Sequence, residues 1–221
     1  MAPHSVSARG QIPEGARRGV VIVHEILGLQ PEIDRVVQSF AHKGYAAVAP
    51  DFFAGGTRLG CIVRMMRACS TGKGQPARIA LAAREWICKT TRILPARVGL
   101  VGFCLGGGFA LAIGRGWGAV SASYGTVPPK ELLEGIGPVI ACFGKRDRAF
   151  RGSADKLRQA LGDLGVPFEI LEYPNAGHSF LTEGQHPMAA LLSRPILRMG
   201  YCPEEAKDAW KRIHRFFDEW L

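Results

Sequence analysis

The sequence predicts an α/β fold built on a mostly parallel central sheet, and three observations carry that prediction. Residues 20–24 begin with a continuous β-branched run, at positions 20–23, and end at His24, which is typical of a strand covered on both faces. Between Pro31 and His42 apolar residues recur at helical spacing. A second buried run at residues 45–51 follows directly. A strand, a helix and a strand joined by short loops form a parallel βαβ unit.

The rest of the chain continues this alternation of helices and strands. Residues 52–74 interrupt it with a Gly-Gly turn and a helical stretch, and we expect this segment to form a lid or a pocket wall. Beyond it the pattern predicts a helix at 77–90, a strand at 98–103 leading into a helix, strands at 119–124 and 137–144, a helix at 153–164 capped by Ser153, a strand at 167–173 and a helix at 203–221. Helices on both faces of the sheet follow from this order.

Length and composition indicate a single domain. The chain has 221 residues, of which 47% are hydrophobic, enough for one substantial core. We expect residues 1–18 to be a partly irregular N-terminal segment, with one short strand before Pro13 and reduced N-terminal strands, and residues 19–221 to form the domain. No apolar run has the length of a signal peptide or a membrane span, so we expect a cytoplasmic protein without a membrane partner.

Cysteine spacing and charge narrow the classes of ligand. The six cysteines are scattered, with no CxxC pair and no interleaved histidine, which disfavours a metal site and suits reduced thiols. The formal net charge of +9 favours anionic partners. Because the basic residues are spread along the chain without a nucleic-acid motif, nucleic acid is disfavoured. A small anionic substrate and a basic surface without a specific partner remain as interpretations.

The central predicted strand ends at a cysteine between two glycines. Gly102 and Gly106 each lie two residues from Cys104, and this G-x-C-x-G pattern is a nucleophile elbow with Cys in place of Ser. Such a turn is strained and leaves little room for neighbouring side chains. The amide of Leu105 would face a developing oxyanion. The pattern favours acyl transfer, and a buried thiol at the end of a core strand is the alternative.

Three more polar residues directly follow predicted strands, at the sheet edge where ligand sites of parallel sheets lie. They are Glu25, Asp147 and His178. Nucleophile, acid and histidine thus occur in the order of a hydrolase triad, in which His178 takes the thiol proton and Asp147 orients the imidazole. The alternatives are a loop histidine, a turn-capping carboxylate and an exposed loop acid. Glu25 stands beside Ile26, whose amide is the second candidate oxyanion donor.

Four segments together resemble the dienelactone hydrolases, or carboxymethylenebutenolidases, of the α/β-hydrolase superfamily. They are HEILG at residues 24–28, GYAAVAPD at 44–51, GFCLGG at 102–107 and GHSF at 177–180. The resemblance runs from about Gly19 to the C-terminus. It implies a single-domain α/β-hydrolase fold and a hydrolase without metal or organic cofactor, acting on enol-lactones through a thioester acyl-enzyme that water resolves.

The resemblance also implies a role for individual residues. Cys104 is then the nucleophile, His178 the base and Asp147 its orienting acid, while Glu25 activates the thiol once substrate is bound. Amides of Ile26 and Leu105 form the oxyanion hole. Six further positions are candidates for substrate binding: Arg64, Arg67, Arg78, Tyr124, Phe180 and Thr182.

The candidate substrate-binding residues depart from the family pattern at one position. The resemblance implies that the enzyme for which the family is named has an arginine four residues beyond its catalytic histidine to bind a substrate carboxylate, and Thr182 stands there in this sequence. A second family arginine falls in a variable region, where Arg64, Arg67 and Arg78 are alternatives. The identity of the substrate is therefore left open by the sequence.

We expect from the sequence a hydrolase of small lactones or esters, with an anionic substrate and a monomeric or homodimeric state. One alternative is a general carboxylesterase or thioesterase on the same scaffold, which would prefer neutral acyl chains. Another is a non-catalytic small-molecule binding protein, since a fold does not fix function. A pure binder would need none of Cys104, Asp147 and His178, which argues against it.

Overall fold

The computed structural model describes residues 7–183 and 195–221, and these residues form a seven-stranded sheet between layers of helices. The strands are β1 (Ala8–Gln11), β2 (Arg18–Val23), β3 (Tyr45–Pro50), β4 (Val98–Phe103), β5 (Val120–Ser123), β6 (Val139–Gly144) and β7 (Phe168–Tyr173). The helices are α1 (Pro31–His42), α2 (Arg58–Thr71), α3 (Gln75–Thr91), α4 (Leu105–Ile113), α5 (Ser153–Asp163) and α6 (Pro203–Trp220). Short 3₁₀ helices lie at Pro95–Arg97 and Lys130–Leu132.

The sheet has the order β1-β3-β2-β4-β5-β6-β7. Strand β1 runs antiparallel to β3, and every other pairing is parallel. The carboxyl ends of β2 to β7 therefore meet at one edge of the sheet. The α/β-hydrolase fold predicted from the sequence is confirmed, and a single antiparallel strand stands at the N-terminal edge.

Two apolar cores lie on opposite faces of the sheet, because successive strand side chains point to opposite sides. In β2, Val21 and Val23 face helices α2 to α5, whereas Val20 and Ile22 face α1 and α6. All four side chains are fully buried. The strand is therefore covered on both faces, as its continuous β-branched sequence predicts.

Three local expectations can be compared with the structure. The predicted strand before Pro13 is present as β1, while residues 1–6 of the expected N-terminal segment lie outside the described residues. The expected lid or pocket wall contains α2, which buries Met65 and Ala68 in the core and is therefore packed against the rest of the domain. The expected helix cap at Ser153 is wrong: Ser153 is the first helical residue, and Gly152 precedes it with a left-handed φ of 79°.

Candidate active site

Cys104 occupies the sharp turn between β4 and α4. Its φ of 54° and ψ of −119° lie outside the regions that side chains ordinarily adopt. Hydrogen bonds hold this conformation: the Cys104 amide donates to the Ser123 carbonyl at 3.0 Å, and its carbonyl accepts from the amides of Gly107 and Gly108 at 3.0 and 3.2 Å. The thiol is partly exposed. The nucleophile elbow expected from the sequence is therefore present as a geometry.

The glycines of the elbow allow the start of α4 to approach the sheet closely. A Cβ atom on Gly102 would lie 2.1 Å from the Gly106 carbonyl oxygen, and one on Gly106 would lie 2.6 Å from the Val23 carbonyl oxygen. Both obstacles are backbone atoms, which cannot move aside as a flexible side chain can. The turn therefore excludes any side chain at these two positions.

Gly102→Ala is expected to destabilise the protein by about 1–3 kcal/mol, because the added methyl group must push α4 away from β4. Gly162→Ala is the matched control, since nothing lies within 4 Å of its added Cβ. That substitution, inside α5, is expected to stabilise by about 0.5–1 kcal/mol. Urea unfolding of both variants measures the difference. Equal midpoints for the two variants would contradict the close approach at Gly102.

Three of the sequence-predicted residues form one hydrogen-bonded chain. Asp147 Oδ2 accepts a hydrogen bond from His178 Nδ1 at 2.6 Å, and both residues are 2% exposed. The His178 ring also hydrogen-bonds the side chain of Cys104. Asp147 Oδ1 accepts from the Ala149 amide at 3.1 Å, so the carboxylate caps its own turn as well. The structure thus brings acid, histidine and thiol together in the order of a triad.

The environment of His178 favours its charged form. Burial lowers the pKa of His178, but its hydrogen bonds with Asp147 and Cys104 outweigh burial and raise that pKa to about 10. Phe150 stacks on the imidazole with ring centroids 5.1 Å apart. The Tyr124 ring also lies 5.1 Å from it, at a tilt. An imidazolium held between two rings and a carboxylate is positioned to donate a proton.

Glu25 turns its carboxyl group toward the triad rather than toward solvent. Glu25 Oε1 accepts hydrogen bonds from the Tyr124 hydroxyl and from Thr182 Oγ1, both at 3.2 Å. The residue as a whole is partly exposed, but protein atoms densely surround its carboxyl group. Burial raises the pKa of Glu25, although the charge of His178 and the hydrogen bonds act in the opposite direction. Glu25 is therefore not the exposed loop acid that was its alternative.

His24, which the sequence reasoning missed, fixes the loop that carries Glu25. It is 1% exposed, its Nδ1 donates to the Glu25 carbonyl at 2.8 Å, and its Nε2 accepts from the Phe52 amide at 3.1 Å. Burial lowers the pKa of His24, which keeps Nε2 free to accept. A polar residue ending a fully buried strand was the available sequence signal. His24 ties the loop after β2 to the loop after β3.

The two candidate oxyanion donors lie at the ends of neighbouring strands. Leu105 begins α4, and Ile26 follows Glu25 with 41% of its surface exposed. Within residues 7–183 and 195–221, neither amide donates to a backbone carbonyl. Amides at a helix N-terminus and in an adjoining loop can stabilise an oxyanion.

The arginines of the variable region occupy different surroundings. Arg64 Nη2 donates to Cys61 Sγ at 2.9 Å, and Arg67 is exposed on α2. Arg78 lies on α3 and lines a separate cavity beside β1. Arg58, which the sequence reasoning did not single out, donates from Nη2 to the Ile26 carbonyl at 3.3 Å. Of these side chains, Arg58 therefore contacts the loop that bears Glu25 and Ile26.

Two aromatic candidates for substrate binding are fully buried. Phe180 packs its ring against the rings of Tyr124 and Tyr173, with centroids 5.8 and 5.1 Å apart. Tyr124 presents its hydroxyl to Glu25, as described above. These rings support the site from within, and Tyr124 is in turn held at a φ of 41°.

A small cavity of about 130 Å³ opens beside Glu25 and Thr182. Arg35 also lines it, and this guanidinium is bonded to Glu32 at 3.0 Å and to Glu183 at 2.7 Å. The cation is therefore already neutralised by two carboxylates. The cavity offers an arriving anion no uncommitted positive charge among its described lining residues.

Unusual backbone conformations concentrate around the triad. Cys104, Tyr124 and Ser179 have φ values of 54°, 41° and 54°, in the left-handed region that side chains rarely adopt. Each such residue costs about 1–3 kcal/mol unless its surroundings over-determine it. Such strain is characteristic of functional sites.

In the described part of the chain, no three His, Cys, Asp or Glu side chains are grouped to hold a metal ion. In residues 7–183 and 195–221, no helix combines the length and apolarity needed to cross a bilayer.

Comparison with known proteins adds family information to this geometry. The family model described as the dienelactone hydrolase family matches residues 6–221. A carboxymethylenebutenolidase from Rhodococcus opacus is 30% identical over 226 residues, covering 94% of this chain and 83% of that protein. The dienelactone hydrolase-like promiscuous phosphotriesterase P91, from metagenomic libraries, superposes with a TM-score of 0.73 at 21% identity, over 97% of this chain and 98% of its own. Esterase PE8 superposes with a TM-score of 0.68 at 19% identity, over 98% of this chain and 99% of its own.

Proposed function

The chain belongs to the dienelactone hydrolase family, and from that membership we propose that it hydrolyses small lactones or esters through an acyl-enzyme on Cys104. Its class as an ester-bond hydrolase follows from the family; the cysteine mechanism is our proposal. The observation that supports it most is the hydrogen-bonded chain from Asp147 through His178 to Cys104 at a strained elbow. A binding protein would have no use for this combination.

In the proposed acylation step, the Cys104 sulfur attacks the ester carbonyl carbon and a C–S bond forms. The carbonyl oxygen takes the negative charge and accepts hydrogen bonds from the amides of Ile26 and Leu105. When the tetrahedral intermediate collapses, the C–O bond breaks and protonated His178 donates its proton to the leaving oxygen. A thioester on Cys104 results, with the alcohol or enol released or, for a lactone, still attached to the acyl chain.

In the proposed deacylation step, the same histidine acts as a base. Neutral His178 takes a proton from water as the water oxygen attacks the thioester carbon. The C–S bond then breaks, the carboxylic acid leaves, and Cys104 is regenerated. Asp147 keeps the imidazole oriented and stabilises its charge in both steps.

We propose that Glu25 assists the first step by accepting the thiol proton once substrate is bound, and that it returns this proton to the Cys104 thiolate after the carboxylic acid has left. Burial raises the pKa of this carboxyl group, so its carboxylate is a stronger base than that of an exposed glutamate. Proton transfer by a positioned side chain contributes about 10²–10⁴-fold to a rate. The hydrogen bonds from Tyr124 and Thr182 hold the carboxyl group beside the triad until then.

Glu25→Gln is expected to slow acylation by about 10²-fold, because the amide cannot accept the thiol proton. Single-turnover release of p-nitrophenol from p-nitrophenyl acetate measures acylation directly. The wild-type acylation rate should fall as the pH drops through the pKa of Glu25, and the variant should lose that dependence. Glu14→Gln, at an exposed glutamate, is the control. An unchanged acylation rate in Glu25→Gln would remove Glu25 from the mechanism.

A neutral ester is the second candidate substrate, and the site offers a specific reason. Position 182 carries threonine in place of the family arginine, and Arg35 in the neighbouring cavity is already paired. Hydrolysis of a dienelactone and of p-nitrophenyl acetate, followed by absorbance, separates the two classes. Cys104-dependent turnover of the lactone supports the dienelactone assignment. Turnover of the ester alone keeps the mechanism and assigns a neutral substrate, and activity on neither would overturn the proposal.

If the substrate is anionic, we propose Arg58 as the residue that binds its negative group. Arg58→Gln is then expected to raise KM for the dienelactone by about tenfold, the effect of one charge-assisted hydrogen bond. KM for neutral p-nitrophenyl acetate should change by less than about twofold, since no ion pair is lost. Arg64→Gln and Arg67→Gln test two of the three arginines offered by the sequence, since the third, Arg78, lines a separate cavity. An equal change in KM for both substrates would contradict this assignment.

The steps above need no metal or organic cofactor, and the partner is a small molecule rather than nucleic acid. All six cysteines are free thiols, which suits a reducing compartment, so we propose the cytoplasm. A monomer or a homodimer is compatible with a site whose proposed residues all come from one chain.

A further inference from the structure

A second cavity, of about 810 Å³, lies between α3 and the edge of the sheet, and we name it the α3–β1 groove. Arg9, Ile12 and Val48 line it from the sheet side, and Arg78, Ala82 and Trp86 line it from the helix side. None of the four proposed catalytic residues is among its lining residues. Its volume lies within the range of small-molecule sites.

The groove exists because, on one face of the sheet, β1 lies beyond the helix that packs there. Strand β1 is the outermost strand and pairs with β3. On one face α1 packs against β1, whereas α3, on the other face, packs against β2 and β3. The flank of α3 and the outer part of the sheet therefore form two walls of an open trough.

The walls of the groove leave large apolar groups facing solvent. Trp86 is 50% exposed and Ile12 is 37% exposed. Positions 78, 82 and 86 of α3 are separated by four residues and so lie on one face of the helix. An indole on the wall of an apolar trough offers a flat surface on which an aromatic ring can stack.

The groove also carries an uncommitted positive charge. Arg9 is bonded to Asp34 and to the Gln30 carbonyl. Arg78 is exposed, and within residues 7–183 and 195–221 its guanidinium makes no ion pair or hydrogen bond. The described lining residues include no acidic side chain. The local charge thus favours an anion, in contrast to the cavity beside Glu25.

We propose that the α3–β1 groove binds a planar amphipathic anion, with an aromatic ring against Trp86 and a carboxylate on Arg78. This site is separate from the ester site and takes its ligand without reaction. Stacking on the indole and a guanidinium–carboxylate pair are the two contacts that recognise such a ligand. The apolar walls exclude water from one side of the ring.

The test is titration calorimetry of the full chain with 2-naphthoate and with its neutral isostere 2-naphthamide. Wild type is expected to bind naphthoate at one site, about fivefold more tightly than the amide, as one exposed ion pair provides. Arg78→Gln should abolish that preference without weakening amide binding. Lys207→Gln, which removes an exposed charge on α6 across the sheet, should keep the preference. The proposal would be overturned if wild type bound no naphthoate, or if Arg78→Gln kept the wild-type preference for naphthoate over the amide.

A second variant distinguishes ligand binding in the α3–β1 groove from ligand binding in the ester site. Ala82 is exposed, so Ala82→Trp can fill the groove without entering the core, and it should eliminate naphthoate binding at an unchanged Tm. Alkylation of Cys104 with iodoacetamide should leave naphthoate binding unchanged. If alkylation eliminates binding while Ala82→Trp preserves it, the ligand occupies the ester site and the proposal fails. A changed sedimentation mass in Ala82→Trp would instead identify a self-association face and also overturn it.

Discussion

Cys104→Ala is expected to lower the rate of ester hydrolysis by about 10⁴-fold or more, because the proposed mechanism forms its thioester on Cys104. The elbow backbone should persist, since its hydrogen bonds involve the amide and the carbonyl of residue 104 rather than its side chain. Initial rates measured with p-nitrophenyl acetate report the loss of turnover. Mass spectrometry after a brief reaction should show an acetyl adduct on wild type and none on the variant.

Cys88→Ala is the matched control for this substitution. Cys88 is also a partly exposed free thiol, but it lies on α3. Its removal should leave both the rate and the adduct unchanged. If Cys104→Ala kept more than about one tenth of the wild-type rate, acyl transfer to Cys104 could not be the main route.

Asp147→Asn is expected to lower kcat by about 10³–10⁴-fold while leaving the overall fold intact. The carboxylate accepts a hydrogen bond from His178 Nδ1 at 2.6 Å, and an amide can present its NH₂ group there instead, which stabilises the wrong tautomer. The pKa of His178 should also fall from about 10, because burial then acts without its main opposing hydrogen bond. His178 should therefore lose its proton at lower pH than in wild type.

A pH–rate profile and NMR titration of the His178 ring measure that shift. Where protonated His178 must donate to the leaving group, the alkaline fall in activity should begin at lower pH in Asp147→Asn. Asp155→Asn, at an exposed ion pair with Arg158, should change neither curve. An unchanged titration of His178 in Asp147→Asn would contradict the proposed orienting role.

The fold could be predicted from the sequence because both of its patterns are local. Strands buried on two faces read as continuous apolar runs, as in β2, and amphipathic helices show their spacing, as in α1. The helix cap at Ser153 was wrong for a local reason as well. Gly152 adopts a left-handed φ that brings the chain into α5 without a side-chain cap. A pattern of residue types does not distinguish a helix that begins in this way from one that begins with a serine cap.

The grouping of Cys104, Asp147 and His178 was predictable because parallel strands bring their carboxyl ends to one edge. Long-range contacts between loops were not. His24 reaches Phe52, and Arg58 at the start of α2 reaches Ile26, only after the segments that follow β2 and β3 have folded against each other. Phe150 likewise meets His178 from a neighbouring loop, with no spacing in the sequence to indicate it.

The close approach of α4 to the sheet has a consequence for how this scaffold can diversify. At Gly102 and Gly106, backbone atoms leave no space for a side chain, so every substitution there works against folding. At position 104 the side chain projects outward from a turn that its own backbone hydrogen bonds hold. A single nucleotide change converts cysteine to serine, exchanging sulfur for oxygen within an unaltered frame. The proposed attacking atom can therefore change in evolution, whereas the backbone turn that presents it cannot.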